Sequence, residues 1–264
     1  MIILITGVTS GFGKAMAERL SADGHVVYGT HRKDVEPIKG VTYIKADVRN
    51  EEDCKAAVQR ILDEQGRIDV FINNAGMGIG GPLEFSTTKQ AETQMDVNWM
   101  GMVRCLHYVL PVMRRQKSGK IICFSSIGGL MGLPFQGLYS ASKFAIEGYC
   151  EALRMEVRAH GIKVVVIEPG DFATGFTASR DSVADKEAHE AYPSYARSLQ
   201  SIEHDETSGL KPEYLAGNIS KIVKARNPRH SYIISTLEQR LSVFLKAILP
   251  SAWFEAILRS YYKL

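Results

Sequence analysis

The chain has 264 residues, of which 45% are hydrophobic and 23% are charged, with 23 glycines and 9 prolines. This is an ordinary globular composition, which argues against extended disorder, a collagen-like repeat and a disulfide scaffold. Lysine and arginine total 32 against 29 acidic residues, and the formal net charge of +3 comes without a basic block, so we expect no nucleic-acid partner.

Apolar runs of strand length alternate with longer segments of helical period along the chain. The predicted strands are residues 2–6, 25–30, 41–45, 68–72, 120–125, 162–167 and 231–234. The predicted helices are residues 11–23, 51–64, 90–117, 139–160 and 211–226. Because the strands are apolar throughout, we expect both faces of a parallel sheet to be covered. Right-handed crossovers then give an α/β fold with a doubly wound parallel sheet, in a single domain of residues 1–264.

Two segments interrupt this alternation. Residues 171–210 are polar, helix-prone and long for a connection, which predicts a helical lid over a substrate. Residues 237–262 have the apolar spacing of two amphipathic helices, broken at Pro250. We expect these helices to pack on the domain or on a partner subunit, and contact with a membrane surface is the alternative.

The four cysteines lack the CxxC spacing and the nearby histidine pairs of a metal site. We expect them to be buried free thiols in a reducing compartment. The apolar run at residues 2–5 is too short for a signal peptide, and no apolar stretch reaches the roughly 20 residues of a membrane span. We therefore expect a cytoplasmic protein.

A glycine-rich loop joins the first predicted strand to the first predicted helix. Glycines at this place let the backbone turn sharply and approach a pyrophosphate, whose charge the helix N-terminus favours. A tight turn without a ligand is the alternative, but the position after a first buried strand is the one that a dinucleotide site requires. The candidate phosphate-binding residues are Gly7, Thr9, Ser10, Gly11, Phe12 and Gly13.

The end of the second strand predicts which dinucleotide binds. An NAD site usually has an acidic residue here for the ribose hydroxyls, whereas this strand ends in His31 and Arg32, and Asp34 comes too late. A guanidinium suits a ribose phosphate, which favours NADP(H); the alternative is that Arg32 is only a solvated surface residue. Asp47 and Val48, after the third strand, are candidates for an adenine contact.

Further polar groups follow the carboxyl ends of other strands, where an open parallel sheet binds its ligand. They are Asn74, Ala75 and Gly76 after the fourth strand, Ser126 after the fifth, and Pro169 and Gly170 after the sixth. Tyr139 and Lys143 are four residues apart and so share one helix face. Two alternatives stay open: Ser126, next to Ser125, could be a strand-end cap, and Asn98 could be a helix N-cap.

These motifs together resemble the short-chain dehydrogenase/reductase family. They are Thr-Gly-x-x-x-Gly-x-Gly at 6–13, Asn-Asn-Ala-Gly at 73–76, Asn98, Ser126, Tyr-x-x-x-Lys at 139–143, and Pro169-Gly170 followed by Thr174. The segments 128–135 and 142–148 are similar to the hydroxysteroid and retinol dehydrogenase branch, and Thr-His-Arg at 30–32 matches the NADP(H)-using pattern of that branch. The resemblance implies a Rossmann fold.

The resemblance also implies a role for each catalytic candidate. Tyr139 would be the general acid in ketone reduction and the general base in alcohol oxidation, Ser126 would bind the substrate oxygen, and Asn98 would hold a water leading to Lys143. A free phenol has a pKa of about 10, so we expect Lys143 to lower the pKa of Tyr139. Lys143 would also hold the nicotinamide ribose, and Thr174 the carboxamide. No metal is required.

The sequence thus predicts an NADP(H)-dependent oxidoreductase that interconverts an alcohol with a ketone or aldehyde. A hydrophobic substrate such as a steroid, retinoid or long-chain carbonyl is favoured by apolar residues near the expected pocket, namely Leu130, Met131, Leu133, Pro134, Phe135 and Phe172. The alternatives are a 3-oxoacyl-thioester ketoreductase and a non-catalytic NADP(H)-sensing protein. The resemblance further implies a homo-oligomer built through the helices at 98–117 and 139–160.

Overall fold

The computed structural model describes residues 1–32, 36–175, 180–182 and 186–264. Seven parallel strands form one sheet in the order β3-β2-β1-β4-β6-β7-β9, and β5 pairs with β8 in a separate parallel sheet. The strands are β1 (Ile2–Ile5), β2 (Val26–His31), β3 (Val41–Lys45), β4 (Val70–Asn73), β5 (Ile79–Gly80), β6 (Gly119–Phe124), β7 (Ile162–Pro169), β8 (Asp181–Ser182) and β9 (Ser231–Ile234).

Helices cover both faces of the large sheet, as the uniformly apolar strands require. The helices are α1 (Gly11–Ala22), α2 (Glu51–Gln65), α3 (Thr88–Met95), α4 (Gly101–Gln116), α5 (Gly137–Glu156), α6 (Lys186–Ala191), α7 (Tyr195–Ser208), α8 (Pro212–Lys224), α9 (Leu237–Ile248) and α10 (Ser251–Tyr261). Helices α2, α4 and α5 pack into one apolar core, and α1 and α8 pack into a second core on the opposite face. The predicted doubly wound sheet is confirmed.

The strand order reverses between β1 and β4. From β1 the chain builds outward through β2 to β3, and it then returns to place β4 on the other side of β1. Ligands bind beyond the carboxyl ends of the strands at such a reversal. The loops that follow β1, β4, β6 and β7 carry the glycine loop, the residues 74–76, Ser126 and the residues 170–174.

The long helix predicted over 90–117 is divided. Helix α3 is followed by a π-helical segment, Asp96–Met100, and only then by α4. The Asn98 side chain explains the widened turn, since it both donates to and accepts from the backbone of Met77. The small sheet of β5 and β8 was not predicted, because two-residue strands leave no hydrophobic pattern.

The two segments that interrupt the sequence pattern are both helical. The predicted lid at 171–210 contains α6 and α7, and its residues 176–179 and 183–185 lie outside the described residues, as does Asp34. The predicted break at Pro250 separates α9 from α10. Among the residues described, no helix is long and apolar enough to cross a membrane. All four cysteines are buried and free, as expected.

Candidate active site

The glycine loop after β1 is shaped for an anion. Gly7 has φ = +74°, and a Cβ on Gly13 would lie 1.8 Å from the Gly7 carbonyl oxygen, so helix α1 packs against the loop only because Gly13 lacks a side chain. Ser10 is the N-cap residue of α1, yet its side chain makes no capping hydrogen bond. The first N–H groups of the helix therefore remain available to a phosphate.

Two residues brace this loop against the end of β4. The Asn74 amide nitrogen donates to the Thr6 and Gly7 carbonyls at 3.0 and 2.9 Å, and the Thr6 hydroxyl accepts the N–H groups of Asn74 and Ala75, each at 3.0 Å. Asn74 thus shapes the predicted cofactor cleft from behind the loop. The sequence analysis quoted Thr6 in its motif without assigning it a role, because the contact joins two separate strand ends.

A cleft of about 550 Å³ runs along the carboxyl ends of the strands. Gly13 and Asn98 do not line it, since the first packs α1 on the loop and the second is buried behind Met77. The cleft brings together most of the predicted site residues: Gly7, Thr9, Ser10, Gly11, Phe12, His31, Arg32, Asp47, Val48, Asn74, Ala75, Gly76, Ser126, Tyr139, Lys143, Pro169, Gly170 and Thr174.

One end of the cleft carries the residues predicted to choose the dinucleotide. Arg32 is exposed and lines the cleft directly after β2, while the His31 ring packs 5.2 Å from that of Tyr43. The Asp47 carboxylate is held by the Arg49 guanidinium, with 2.6 Å between Oδ2 and Nη2, and this contact lowers the pKa of Asp47. Arg32 is thus the cation facing the cleft here, and Asp47 is already neutralised by Arg49.

The catalytic candidates meet near the middle of the cleft. The Ser126 side chain lies beside the Tyr139 hydroxyl and acts to lower the pKa of the phenol, while its own hydroxyl donates to the Pro169 carbonyl at 3.5 Å. Lys143 is buried, with its Nζ 5.5 Å from the centroid of the Tyr139 ring and donating to the Phe124 carbonyl at 2.8 Å. The Ser125 hydroxyl turns away and donates to the Lys143 carbonyl. Ser126 also accepts from the Gly128 N–H at 3.1 Å, so it combines a local cap with its contact to Tyr139.

The pKa values of this pair differ from the expectation. Burial raises the pKa of Tyr139 to about 12, although the Ser126 side chain acts in the opposite direction. Burial also lowers the pKa of Lys143 to about 8. The predicted depression of the phenol pKa by Lys143 is therefore not seen in the protein alone. Tyr139 is therefore protonated at neutral pH in the protein alone.

Asn98 is not the N-cap that the sequence left open. It is buried within the π-helical segment, accepts from the Met77 N–H at 2.8 Å and donates to the Ser142 hydroxyl at 2.9 Å. Ser142 in turn donates to the Tyr139 carbonyl at 2.7 Å. The side chain of Asn98 therefore fixes the first turn of α5, and π-helical turns of this kind often occur at functional sites. Its role in a water relay stays a prediction.

The far end of the cleft is lined by residues that sequence reasoning missed. They are Gln136, Asp171, Ile202, Asp205, Glu206 and Tyr262. Arg180 pairs with Glu206, Gln239 donates to Asp171, and the Tyr261 hydroxyl donates to Asp205 at 2.6 Å. Burial, with Glu206 and Asp205 nearby, raises the pKa of Asp171 to about 6. Only Asp171 had a usable signal, because it follows Pro169-Gly170 at a strand end.

The predicted apolar pocket is only partly formed by the predicted residues. Leu133 and Phe172 line the cleft, and the Phe172 ring packs edge-on against Phe12 at 4.9 Å. Met131 is buried in the protein interior, and the Phe135 ring packs 5.0 Å from that of Tyr195 in the lid. Leu130 and Pro134 are partly buried and do not line the cleft.

Comparison with known proteins identifies the family. A family model described as short chain dehydrogenase matches residues 1–185. The chain belongs to the short-chain dehydrogenase family. It is an oxidoreductase whose sheet, glycine loop and tyrosine–lysine pair occupy the places that the sequence analysis predicted.

Two relatives and two solved structures show how far the similarity extends. The chain is 49% identical over 262 residues to the 3-ketodihydrosphingosine reductase of Bacteroides thetaiotaomicron, covering 99% of this chain and 97% of that protein. It is 34% identical over 253 residues to human 17-beta-hydroxysteroid dehydrogenase type 1, covering 88% and 76% respectively. A short-chain dehydrogenase structure from Streptomyces avermitilis has a TM-score of 0.85 at 27% identity, covering 98% and 96% of the two chains. The structure of ElxO, solved with NADP bound, has a TM-score of 0.72 at 25% identity, covering 88% and 96%.

Proposed function

We propose that this enzyme reduces a long-chain ketone with NADPH, and that its substrate is 3-ketodihydrosphingosine or a closely similar amino ketone. The main observation in support of this reaction is that the Ser126 and Tyr139 side chains lie side by side in a cleft continuous with the glycine loop. The 49% identical relative over almost the whole chain supports the substrate class.

The residues of the cleft fit a phosphorylated dinucleotide. The glycine loop and the uncapped N-terminus of α1 would hold the pyrophosphate. Arg32 would bind a phosphate on the adenosine ribose, where no described residue of β2 offers a carboxylate. Lys143 would hold the nicotinamide ribose and Thr174 the carboxamide. When bound, NADPH supplies the hydride that the carbonyl carbon receives.

The protein supplies the proton. The Ser126 hydroxyl would donate to the substrate carbonyl and fix its oxygen beside Tyr139. The Tyr139 hydroxyl, which is protonated at neutral pH, would donate its proton to that oxygen as the alcohol forms. Lys143, one helical turn away, would return a proton to the phenolate, and Asn98 would hold the water that connects Lys143 to solvent.

The far end of the cleft supports an amine-bearing substrate. Three acidic residues, Asp171, Asp205 and Glu206, line this part of the cleft. Among the described residues of this cluster, Arg180, which pairs with Glu206, is the only cation. An ammonium group beside the reacting carbonyl would balance the excess negative charge there. A steroid has no such group, although the similarity to a hydroxysteroid dehydrogenase makes it the competing substrate.

The test is a comparison of kcat/KM for four ketones with NADPH and NADH. We expect 3-ketodihydrosphingosine to exceed estrone, a 3-oxoacyl thioester and an uncharged long-chain ketone, and NADPH to exceed NADH. Asp205→Asn should raise KM for the amino ketone and leave the uncharged ketone unaffected, because Asp205 lines the cleft and is held by the neutral Tyr261 hydroxyl. Higher kcat/KM for the steroid would transfer the assignment to the hydroxysteroid branch, and absence of turnover with every ketone would favour a non-catalytic NADP(H) sensor.

We further propose a homo-oligomer and a reducing cellular location. Phe144 and Met155 on α5 are large apolar side chains exposed to solvent, which supports an interface through α4 and α5. The four cysteines lack the spacing of a disulfide scaffold, which supports the cytoplasm. Met155→Glu should lower the mass measured by light scattering; an unchanged mass would remove α5 from the interface.

A further inference from the structure

Helices α9 and α10 expose large apolar side chains in a regular pattern. Leu237, Leu241, Phe244 and Ile248 follow one another at helical spacing along α9, and Leu237 is 83% exposed. Trp253, 67% exposed, and Ile257 continue the pattern on α10. We call these six residues the apolar tail surface.

The opposite sides of the same helices hold them on the protein. In α9, Gln239 donates to Asp171 and the Ser242 hydroxyl contacts the Met131 sulfur at 3.8 Å. In α10, Phe254 is buried, and after it Tyr262 lines the cleft. The predicted packing of this segment on the domain is therefore found for one side only. The apolar tail surface is left facing solvent, although burying it would be favourable.

The exposure is concentrated in this part of the molecule. Among the described residues before 237, the large apolar side chains that are exposed are spaced far apart along the chain, and Phe144 and Met155 are the two that we assign to a subunit interface. The apolar tail surface instead has six such side chains within residues 237–257. A cluster of this density marks a contact with a partner or a membrane.

Charge decides between a lipid surface and a second copy of the chain. Arg240, Arg259 and Lys263 are exposed beside the apolar residues, with Lys246 over the Phe254 ring at 5.3 Å. The acidic residues of residues 237–264 are only Glu238 and Glu255. A two-fold contact would place the cations of both copies along one interface, whereas anionic headgroups would neutralise them.

We propose that the apolar tail surface seats the protein on an anionic lipid surface. The apolar side chains would enter the boundary between headgroups and acyl chains, where Trp253 has the amphipathic ring typical of that depth, and the cations would contact phosphates. The seating does not depend on the proposed activity. Its consequence does rest on the proposed function: a long-chain substrate would reach the cleft from the bilayer past α9 and α10.

Vesicle flotation of the full chain tests the proposal. We would compare phosphatidylcholine vesicles with vesicles that also contain phosphatidylglycerol, using wild type, Leu241→Gln/Phe244→Gln and Trp253→Gln/Ile257→Gln. Glutamine keeps helix propensity, and a thermal melt of each variant checks folding. Leu83→Gln/Tyr214→Gln, which removes two exposed apolar side chains elsewhere, is the matched control.

We expect wild type and control to float with the anionic vesicles, and each tail variant to lose about tenfold in vesicle partitioning. Arg240→Gln/Arg259→Gln should weaken binding to anionic vesicles only. Failure of wild type to float, or equal flotation of the tail variants, would overturn the proposal. If wild type does not float and light scattering shows that only the tail variants dissociate, the occupant is a second copy. Turnover of a water-soluble short-chain ketone without vesicles should stay unchanged in the tail variants, which separates this result from a failure of the proposed function.

Discussion

Replacing Tyr139 with phenylalanine removes one hydroxyl from the cleft and retains the ring. That hydroxyl lies beside the Ser126 side chain. It is protonated at neutral pH, with a pKa raised to about 12, and it is the group best placed to donate to a ketone oxygen. A general acid typically contributes about 10²- to 10⁴-fold. We therefore expect Tyr139→Phe to lower kcat by about that factor, equivalent to about 3–5 kcal/mol of barrier. Affinity for NADPH should change little, because the glycine loop and Arg32 are untouched.

The assay is the rate of NADPH consumption with a saturating ketone, together with a fluorescence titration of NADPH binding. Tyr149→Phe is the matched control, since it removes the hydroxyl of a partly buried tyrosine of the same helix. Ser126→Ala should cost less than Tyr139→Phe, and the double variant should cost less than the product of the two, because both hydroxyls act on one oxygen. Full turnover by Tyr139→Phe would refute the proton-donor role, and multiplicative losses would refute the shared oxygen.

Three further predictions follow from particular contacts. Arg32→Asp should lower the ratio of kcat/KM with NADPH to kcat/KM with NADH about a hundredfold, which is the value of a charge-assisted pair. Arg67→Asp, at a residue that precedes β4 at the opposite edge of the sheet, is the control and should leave this ratio unchanged. An unchanged ratio in Arg32→Asp would mean that Arg32 is only a solvated residue. Burial raises the pKa of Glu168 to about 7, above its unfolded value, so its contribution to stability is full below about pH 4.5 and is lost as the pH rises through 7. Glu168→Gln should therefore remove about 3 kcal/mol of the fall in unfolding free energy between pH 5 and pH 8, measured by urea titration; an equal fall in both proteins would contradict this. Lys120 donates to the carbonyls of Ile222, Val223 and Ala225 at 2.6–2.8 Å, so Lys120→Met should cost about 2–4 kcal/mol in the same titration at pH 7, and a loss below 1 kcal/mol would show that water replaces the ammonium.

Much of the fold could be predicted because its signals are local. Each strand of the large sheet is an apolar run, and each covering helix has an apolar stripe, so their order along the chain already implies a doubly wound sheet. Gly7 and Gly13 are recognisable from the sequence for two reasons. Few residues other than glycine adopt the positive φ of Gly7, and a Cβ at Gly13 would clash with a backbone oxygen. Tyr139 and Lys143 could be paired because four residues make about one helical turn.

What the sequence could not reveal depends on groups far apart in the chain. The sequence does not show which of the adjacent residues Ser125 and Ser126 faces the cleft. The packing of α5 places Ser126 beside Tyr139, whereas the Ser125 hydroxyl donates to the Lys143 carbonyl. The raised pKa of Tyr139 is a property of burial, which no spacing encodes.

The same limit applies to the acidic part of the cleft and to the apolar tail surface. Asp171 and Tyr262 meet in one cleft only because α10 folds back toward β7, and an amphipathic pattern at 237–262 specifies an apolar side without specifying what covers it. Sequence alone determined the fold class and the residue types that follow the carboxyl ends of the strands, since both depend on patterns of residues a few positions apart. Tertiary structure decided the pKa of the phenol, the acidic lining of the cleft and the exposure of the apolar tail surface, because electrostatics and exposure depend on every group that packs nearby.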